Sequence, residues 1–421
     1  MEPEVFFAIL LSSVGIIVWI LKAVEQRHMR DKFKELLNES YSKYGLHKLE
    51  NLIREGWRPK KGLEKAYYLM GLGKWETLAK MGSVALDPLI LATYSEDKKK
   101  QSNAIKALGE LGDARAIGRL MDFVSLGDYD LRKESTESLV KIGSPAVAPL
   151  IDRLRYEGHE AHVWELVRER AAWALGEIGD IRATESLIET LRDKYVDVVN
   201  ESVRALGKIG WKPQNDIDKL SYLLLKKEFE SIDFSDISTV ELIINAFEDK
   251  GTWIRERAAE AIMNYWKPNI KHEWAVDRLI HVLQNNTTSI RVKEAALWAL
   301  GEIRSNKPVS ALITCIENHE GDRVVGLAAA EALGKIKDEK AIWYLVSKID
   351  AYRKRYSEEG PFEITGNYYP IIDIIIKIGE PAVEPLNHFL RDTNNTKKWL
   401  YAEKALRIIT GLEERPYFLL F

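Results

Sequence analysis

A single cysteine, Cys315, stands among 421 residues. It excludes an internal disulfide framework and any cysteine-based zinc cluster within one chain. An excess of one charge is lacking too: 61 basic side chains face 64 acidic ones, a formal net charge of -3. That balance excludes a generally basic protein that coats nucleic acid. Also missing are GxxxxGK(S/T), GxGxxG after a strand, HExxH and GxSxG, the signatures of phosphate cradles, zinc proteases and serine hydrolases. No catalytic residue, cofactor or metal is assigned. What is present is a 46% hydrophobic chain, apolar enough to exclude wholesale disorder. At roughly 150 residues per domain, its length suggests about three domains.

One long apolar run lies near the start. Val5, Phe6 and Phe7 open an uncharged stretch that passes Trp19, closes at Leu21 and meets Lys22. A membrane span needs ~20 apolar residues, or ~17 at the short end. Lys22 can snorkel to the interface, and Trp19 suits the headgroup level. A cleaved signal peptide fits less well, because the chain begins MEPE and KAVEQRHMR follows the run. The run therefore predicts an uncleaved transmembrane anchor over residues 1–24. Residues 22–62 carry 11 basic and 6 acidic side chains, so the positive-inside rule places the rest of the chain in the cytoplasm, beneath a cell membrane. Residues 25–50 read as a basic juxtamembrane helix or linker that could lie against anionic headgroups.

The body is repetitive. LAKMGSVALDPLI (78–90), LVKIGSPAVAPLI (139–151) and IIKIGEPAVEPLN (375–387) are near copies. Aligning these and related segments on the glycine-like position that ends a helix gives a ladder of rungs. They are Gly56, Gly82, Gly112, Gly143, Gly179, Gly210, Asp236, Trp266, Arg304, Lys337, Gly379 and Thr410. Successive rungs lie 26 to 42 residues apart, one helical hairpin per step, so the chain reads as a stacked α-solenoid. Five residues before the rung the chain is small, as at Ala107, Ala174, Ala205 and Ala332, which permits close helix contact. The next position is large and apolar, as at Leu108, Leu175 and Leu300. Rung glycines suit a left-handed helix end, and Pro145 and Pro381 suit the first turn that follows. Trp266, Arg304 and Lys337 must cap differently or strain the turn.

GWRPKKGLEKAYYLMGLGKWETLA (56–79) matches GWKPQNDIDKLSYLLLKKEFESID (210–233) at an offset of 154 residues. This reads as an internal duplication, with repeat arrays over 51–209 and 210–412. The stretches 153–166, 267–273 and 350–370 depart from the minimal repeat, and such insertions map to loops on one face of a solenoid. The apolar tail 413–421 is expected to cap the last repeat.

VRERAAWALGEIGDIRATESLIETL (167–191) resembles the HEAT-like repeats first noted in phycobiliprotein lyases. The resemblance extends over most of residues 50–411. It implies an all-α fold, a right-handed α-α superhelix of antiparallel helix pairs, here preceded by the transmembrane helix. It does not imply lyase activity, since function has to be argued from sites. Deoxyhypusine hydroxylases, another HEAT-repeat family, hold iron with His-Glu pairs just before the Ala-Ala of the repeat. At that place this chain has Glu169-Arg170, Glu256-Arg257 and Glu294-Ala295. His159 and His162, three residues apart, make only a weak metal signal.

The column six before each rung is the most informative. It reads Glu76, Lys106, Glu137, Trp173, Arg204, Glu260, Trp298, Glu331, Asp373 and Lys404. Mostly charged, it should face water, which makes Trp173 and Trp298 candidate anchors for a protein partner, with Arg204 and Glu260 beside them in the column. Neighbouring long side chains could equally cover the two rings. Arg132, Arg168, Arg255 and Lys293 share another column, expected to pair locally with acids such as Asp130 or Glu256. The resulting expectation is a membrane-anchored scaffold that binds a protein partner and no nucleic acid. Two alternatives remain: a lyase-like, ligand-handling enzyme or chaperone, and a nucleic-acid-binding solenoid.

Overall fold

Long helices of 14 residues alternate with shorter ones of seven to ten. The reason lies at the helix ends. Asp97 and Asp128 cap long helices, their carboxylates accepting from backbone N–H groups of the first turn. Gly112 and Gly210 then end long helices at φ 69° and 77°, a conformation in which a Cβ would be strained. A short 3₁₀ turn follows, as at Ser144–Ala146 and Glu380–Ala382, with Pro145 and Pro381 near its start. The structure is a computed structural model. It describes residues 21–35, 43–59, 61–155, 161–268, 270–285, 287–319, 323–349, 354–355, 367–368, 370–392 and 396–412.

The chain divides into two compact units, Met1–Trp211 and Lys212–Phe421. In the first, long helix Lys98–Leu111 packs on Tyr129–Ile142, and Ala161–Ile178 packs on Val196–Ile209. In the second, Thr252–Tyr265, Ile290–Ile303, Arg323–Ile336, Pro370–Ile378 and Thr396–Ile409 each pack on the next. Val167, Ala171 and Leu175 are buried as their spacing predicts. Apart from helices, the described residues hold one two-residue antiparallel pair within the 350–370 stretch, Lys354 opposite Tyr368 and Arg355 opposite Asn367.

Adjacent long helices come unusually close. A Cβ placed on Gly176 would lie 2.7 Å from the Ala205 Cα, and one on Gly301 would lie 2.9 Å from the Ala332 Cα. The small column five before the rung therefore meets the glycine three before the preceding rung. Charges repeat at the exposed edge of the same stack: Lys141 pairs with Glu110 at 2.5 Å, Lys335 with Glu302 at 2.7 Å, and Lys208 with Glu177. Such exposed pairs fix register more than they stabilise.

Residues 21–35 form a helix. It is not a bare linker but docks on the first unit. Phe33 stacks on Trp57 at 4.6 Å and meets the Tyr67 ring at 5.4 Å. Gln26 donates to the Gly56 carbonyl at 3.0 Å and accepts from the Arg58 N–H at 3.1 Å. Among the described residues no helix is long and apolar enough to cross a membrane. The predicted span, residues 1–24, lies outside them apart from residues 21–24, which are exposed. The tail 413–421 and His159 lie outside the described residues too.

Several rungs differ from expectation. Asp236 starts a helix rather than ending one: it caps Ile237–Asn245 by accepting from the Thr239 N–H at 2.8 Å. Trp266 leaves its helix in an extended conformation and is buried, its ring edge-on to His272 at 5.3 Å. At the last rung the left-handed residue is Gly411, one past Thr410. Arg304 and Lys337 take the left-handed conformation despite their side chains, both at φ 58°. That costs an L-residue roughly 1–2 kcal/mol relative to its ordinary conformations. Arg304→Gly is therefore expected to stabilise by about 0.5–1 kcal/mol, after the glycine's extra unfolded-state entropy. Lys337→Gly should gain less, because it removes the Nζ bond to the Ile378 carbonyl at 3.0 Å. Denaturant midpoints check both, and a destabilised Arg304→Gly would contradict the strain.

Candidate functional site

The basic column shows what the repeat uses its recurring cations for. Arg132 is buried and donates to the Val124 carbonyl at 2.8 Å and to the Gly127 carbonyl at 3.0 Å. Arg255 donates to the Asp249 carbonyl at 2.6 Å. Arg168 binds Asp193 through two bonds, of 2.6 and 3.2 Å. Arg132 and Arg255 thus close the carbonyl end of the preceding shorter helical segment, where the helix dipole favours positive charge, while Arg168 pairs with a carboxylate beyond the helix that follows its own. The expected partners Asp130 and Glu256 are not the ones used, since Glu256 accepts instead from the Ser289 hydroxyl at 2.6 Å. Lys293 is buried as well. At Arg132, Arg168 and Arg255 the column binds the scaffold's own carbonyls and carboxylates.

The column six before the rung is mixed. Glu76, Lys106, Arg204 and Glu331 are exposed, while Glu137, Trp173, Glu260, Trp298 and Lys404 are half-buried. Asp373 is buried, which corrects the expectation that the whole column faces water. Trp173 and Trp298 are therefore neither core residues nor free anchors. Each is an amphipathic side chain partly covered by its neighbours.

In the first unit, Trp173 on Ala161–Ile178 and Arg204 on Val196–Ile209 stand on packed, adjacent helices. Around them lies a polar web that the column pattern had not singled out. Glu134 accepts from Lys106 Nζ at 2.7 Å and from the Ser102 hydroxyl at 2.8 Å. Arg170 donates to the Tyr129 hydroxyl at 3.1 Å and lies 5.6 Å from that ring's centre. Arg204 pairs with Glu201 at 2.7 Å along its own helix. Glu169 lies one turn before Trp173. Burial pushes its carboxyl pKa up; Arg170 opposes the shift, and the charges of Asp197, Glu201 and Glu165 add to it. One signal for the web was in the sequence: the column nine before the rung carries Glu134, Arg170, Glu201 and Arg257.

In the second unit, Glu260 on Thr252–Tyr265 and Trp298 on Ile290–Ile303 stand on packed, adjacent helices. Glu260 accepts from Arg257 at 2.5 Å, so its charge is spent along its own helix. The four predicted residues thus form two pairs, one in each unit. Among the described residues no group of three or more His, Cys, Asp or Glu could hold a metal ion. Cys315 is buried, its sulfur 3.9 Å from His319 Nδ1, which itself lies 2.9 Å from the Cys315 carbonyl oxygen.

Residues 86–163 and 276–355 match the family of HEAT repeats, and residues 167–193 match the PBS lyase HEAT-like repeat. The chain carries HEAT repeats over these residues. Among solved structures, human deoxyhypusine hydroxylase in complex with glycerol is 18% identical over 76% of this HEAT-repeat chain and 99% of that one, with a TM-score of 0.27. An engineered protein is 18% identical over 90% of each chain, with a TM-score of 0.24. The complex of CpcE and CpcF of phycocyanin lyase from Nostoc is 21% identical over 62% of this chain and 91% of that chain, with a TM-score of 0.23. No curated protein matches the chain.

The raised pKa of Glu169 has a sign that can be tested. An acid that holds its proton more tightly when folded stabilises the fold at low pH, and loses that contribution as pH rises from the ordinary carboxylate range, about 4.3. Glu169→Gln should therefore be more stable than the parent at pH 7, with the difference vanishing toward pH ~4. Urea midpoints across that range check it. A variant less stable at pH 7 would mean that the ionised carboxylate is held by a favourable partner.

Proposed function

We propose that this HEAT-repeat protein is a scaffold that binds a protein partner through the face of its long helices. The observation that carries the reading is the pair Trp173 and Trp298: half-buried rings at one repeat position where most other repeats carry a charge. Half-covered tryptophans on packed helices suit an interface, where the ring gives apolar contact. Recognition is non-covalent, through the successive long helices within each unit.

The anchor belongs to the same proposal. The uncharged run ending at Leu21 and the cations after it support an N-terminal membrane span with the repeats on the cytoplasmic side. Tethering would raise the scaffold's concentration near other membrane proteins, which suits an assembly factor. A ligand-handling role, as in the lyase-like alternative, would need a pocket with convergent polar groups.

Trp173→Ala and Trp298→Ala should each reduce partner capture from detergent-solubilised membranes by at least tenfold, the loss of a ~1.4 kcal/mol contact. Thermal stability should fall only modestly, because each ring is half-buried. Undiminished capture by both variants would contradict the reading. A fall of several kcal/mol in stability would make both rings core residues.

A further inference from the structure

The docked helix at residues 21–35 carries five basic side chains, and they are not used alike. Arg30 pairs with Glu64 at 3.2 Å and Lys32 with Glu55 at 3.5 Å. Lys22, Arg27 and Lys34 are exposed. An α-helix rises 1.5 Å per residue, so residue 26 lies about 7.5 Å along the axis from residue 21, Arg30 about 13.5 Å and Lys34 about 20 Å. A surface potential decays over about 8 Å at physiological salt. All five cations are exposed; those nearest the apolar run, Lys22 and Arg27, lie within about one decay length of it, while Arg30 and Lys32, farther along, are paired with carboxylates.

Docking brings more positive charge to the near level. The two bonds of Gln26 hold Gly56 and Arg58 beside residue 26, and the Arg30–Glu64 pair holds residue 64 one turn further along. Lys61 lies in the chain between those two fixed points, exposed, just before helix Gly62–Gly71. Arg58 is exposed as well, although its guanidinium also donates to the Ile53 and Trp57 carbonyls. Lys22, Arg27, Arg58 and Lys61 are opposed at this level by Glu25. Exposed Leu21 and Val24 adjoin them.

We propose that this edge of the first unit, built from Lys22, Arg27, Arg58 and Lys61, rests against the headgroups of an anionic lipid leaflet. The inference rests on the anchor reading above, which brings the chain to the interface at residue 21. It adds that the repeats are held against the membrane at a fixed level by the Gln26 bonds and the Phe33–Trp57 stack, and do not swing on a linker. Anionic lipid rather than free phosphate is favoured because apolar and basic side chains are mixed there, the composition of an interfacial surface.

The test uses the full chain reconstituted in vesicles of phosphatidylcholine, with or without phosphatidylserine. A membrane-impermeant amine reagent is applied, and modification of each lysine is read by mass spectrometry. Phosphatidylserine should slow modification of Lys22 and Lys61 at least fivefold, the weight of about one cation–leaflet contact. High salt should abolish the effect, and Lys34 should be unchanged. Arg27→Gln should reduce the protection of Lys22. Equal modification in both vesicles, or protection of both lysines by inorganic phosphate alone, would overturn the lipid-facing edge while leaving the anchor intact. Failure of the protein to float with either vesicle after an alkaline wash would overturn the anchor, and this inference with it.

Discussion

The close approach of successive long helices is the constraint on which the rest of each unit depends. At Gly176 against Ala205, and at Gly301 against Ala332, backbone meets backbone with no room for a Cβ. At that distance the two helices have few relative orientations open to them, because packed interiors tolerate little overlap. Everything on the outer side of the contact inherits its position. The Glu110–Lys141 and Glu302–Lys335 pairs form because their helices are already in register. Trp173 is half covered because its helix lies tightly against the helix bearing Arg204.

Charge is divided between two tasks. Some cations serve the scaffold: Arg132 and Arg255 close helix ends by binding carbonyls, and Arg168 pairs with Asp193. Exposed and half-buried charges decorate the long-helix face, where most find a partner one turn or one repeat away. Glu169 departs from that economy. Its carboxyl is desolvated among other carboxylates, an arrangement that costs stability. It sits one turn from Trp173, so a desolvated charge borders the residue proposed to bind. Functional faces are where such local conflicts are expected to persist.

How much was legible in the sequence follows from the range of each interaction. Helix ends could be read because a left-handed residue selects glycine locally, as at Gly112 and Gly210. Arg304 and Lys337 show the limit: the repeat geometry imposes the same conformation on residues that resist it. The small column was legible, but not its contact with a glycine in the preceding repeat. Arg168 pairs with an acid as expected, but the partners of Arg132 and Arg255 were misread because backbone carbonyls leave no trace in a side-chain pattern. The docking of residues 21–35 was invisible for a similar reason, since Phe33, Trp57 and Tyr67 meet only in three dimensions. The half-exposure of Trp173 and Trp298 depends on what the neighbouring helix carries, and the column alone cannot supply that.

The close contact itself can be measured with one methyl group. Gly118 lies in helix Ile117–Leu126 with nothing within 4 Å of an added Cβ. Gly118→Ala should therefore stabilise by about 0.5–1 kcal/mol, the usual gain of alanine over glycine within a helix. Gly176→Ala places the same methyl against the Ala205 backbone and should destabilise by about 1–3 kcal/mol. Opposite signs in equilibrium unfolding are the predicted result. Stabilisation by both substitutions would contradict the claim that backbone contact sets the helix spacing.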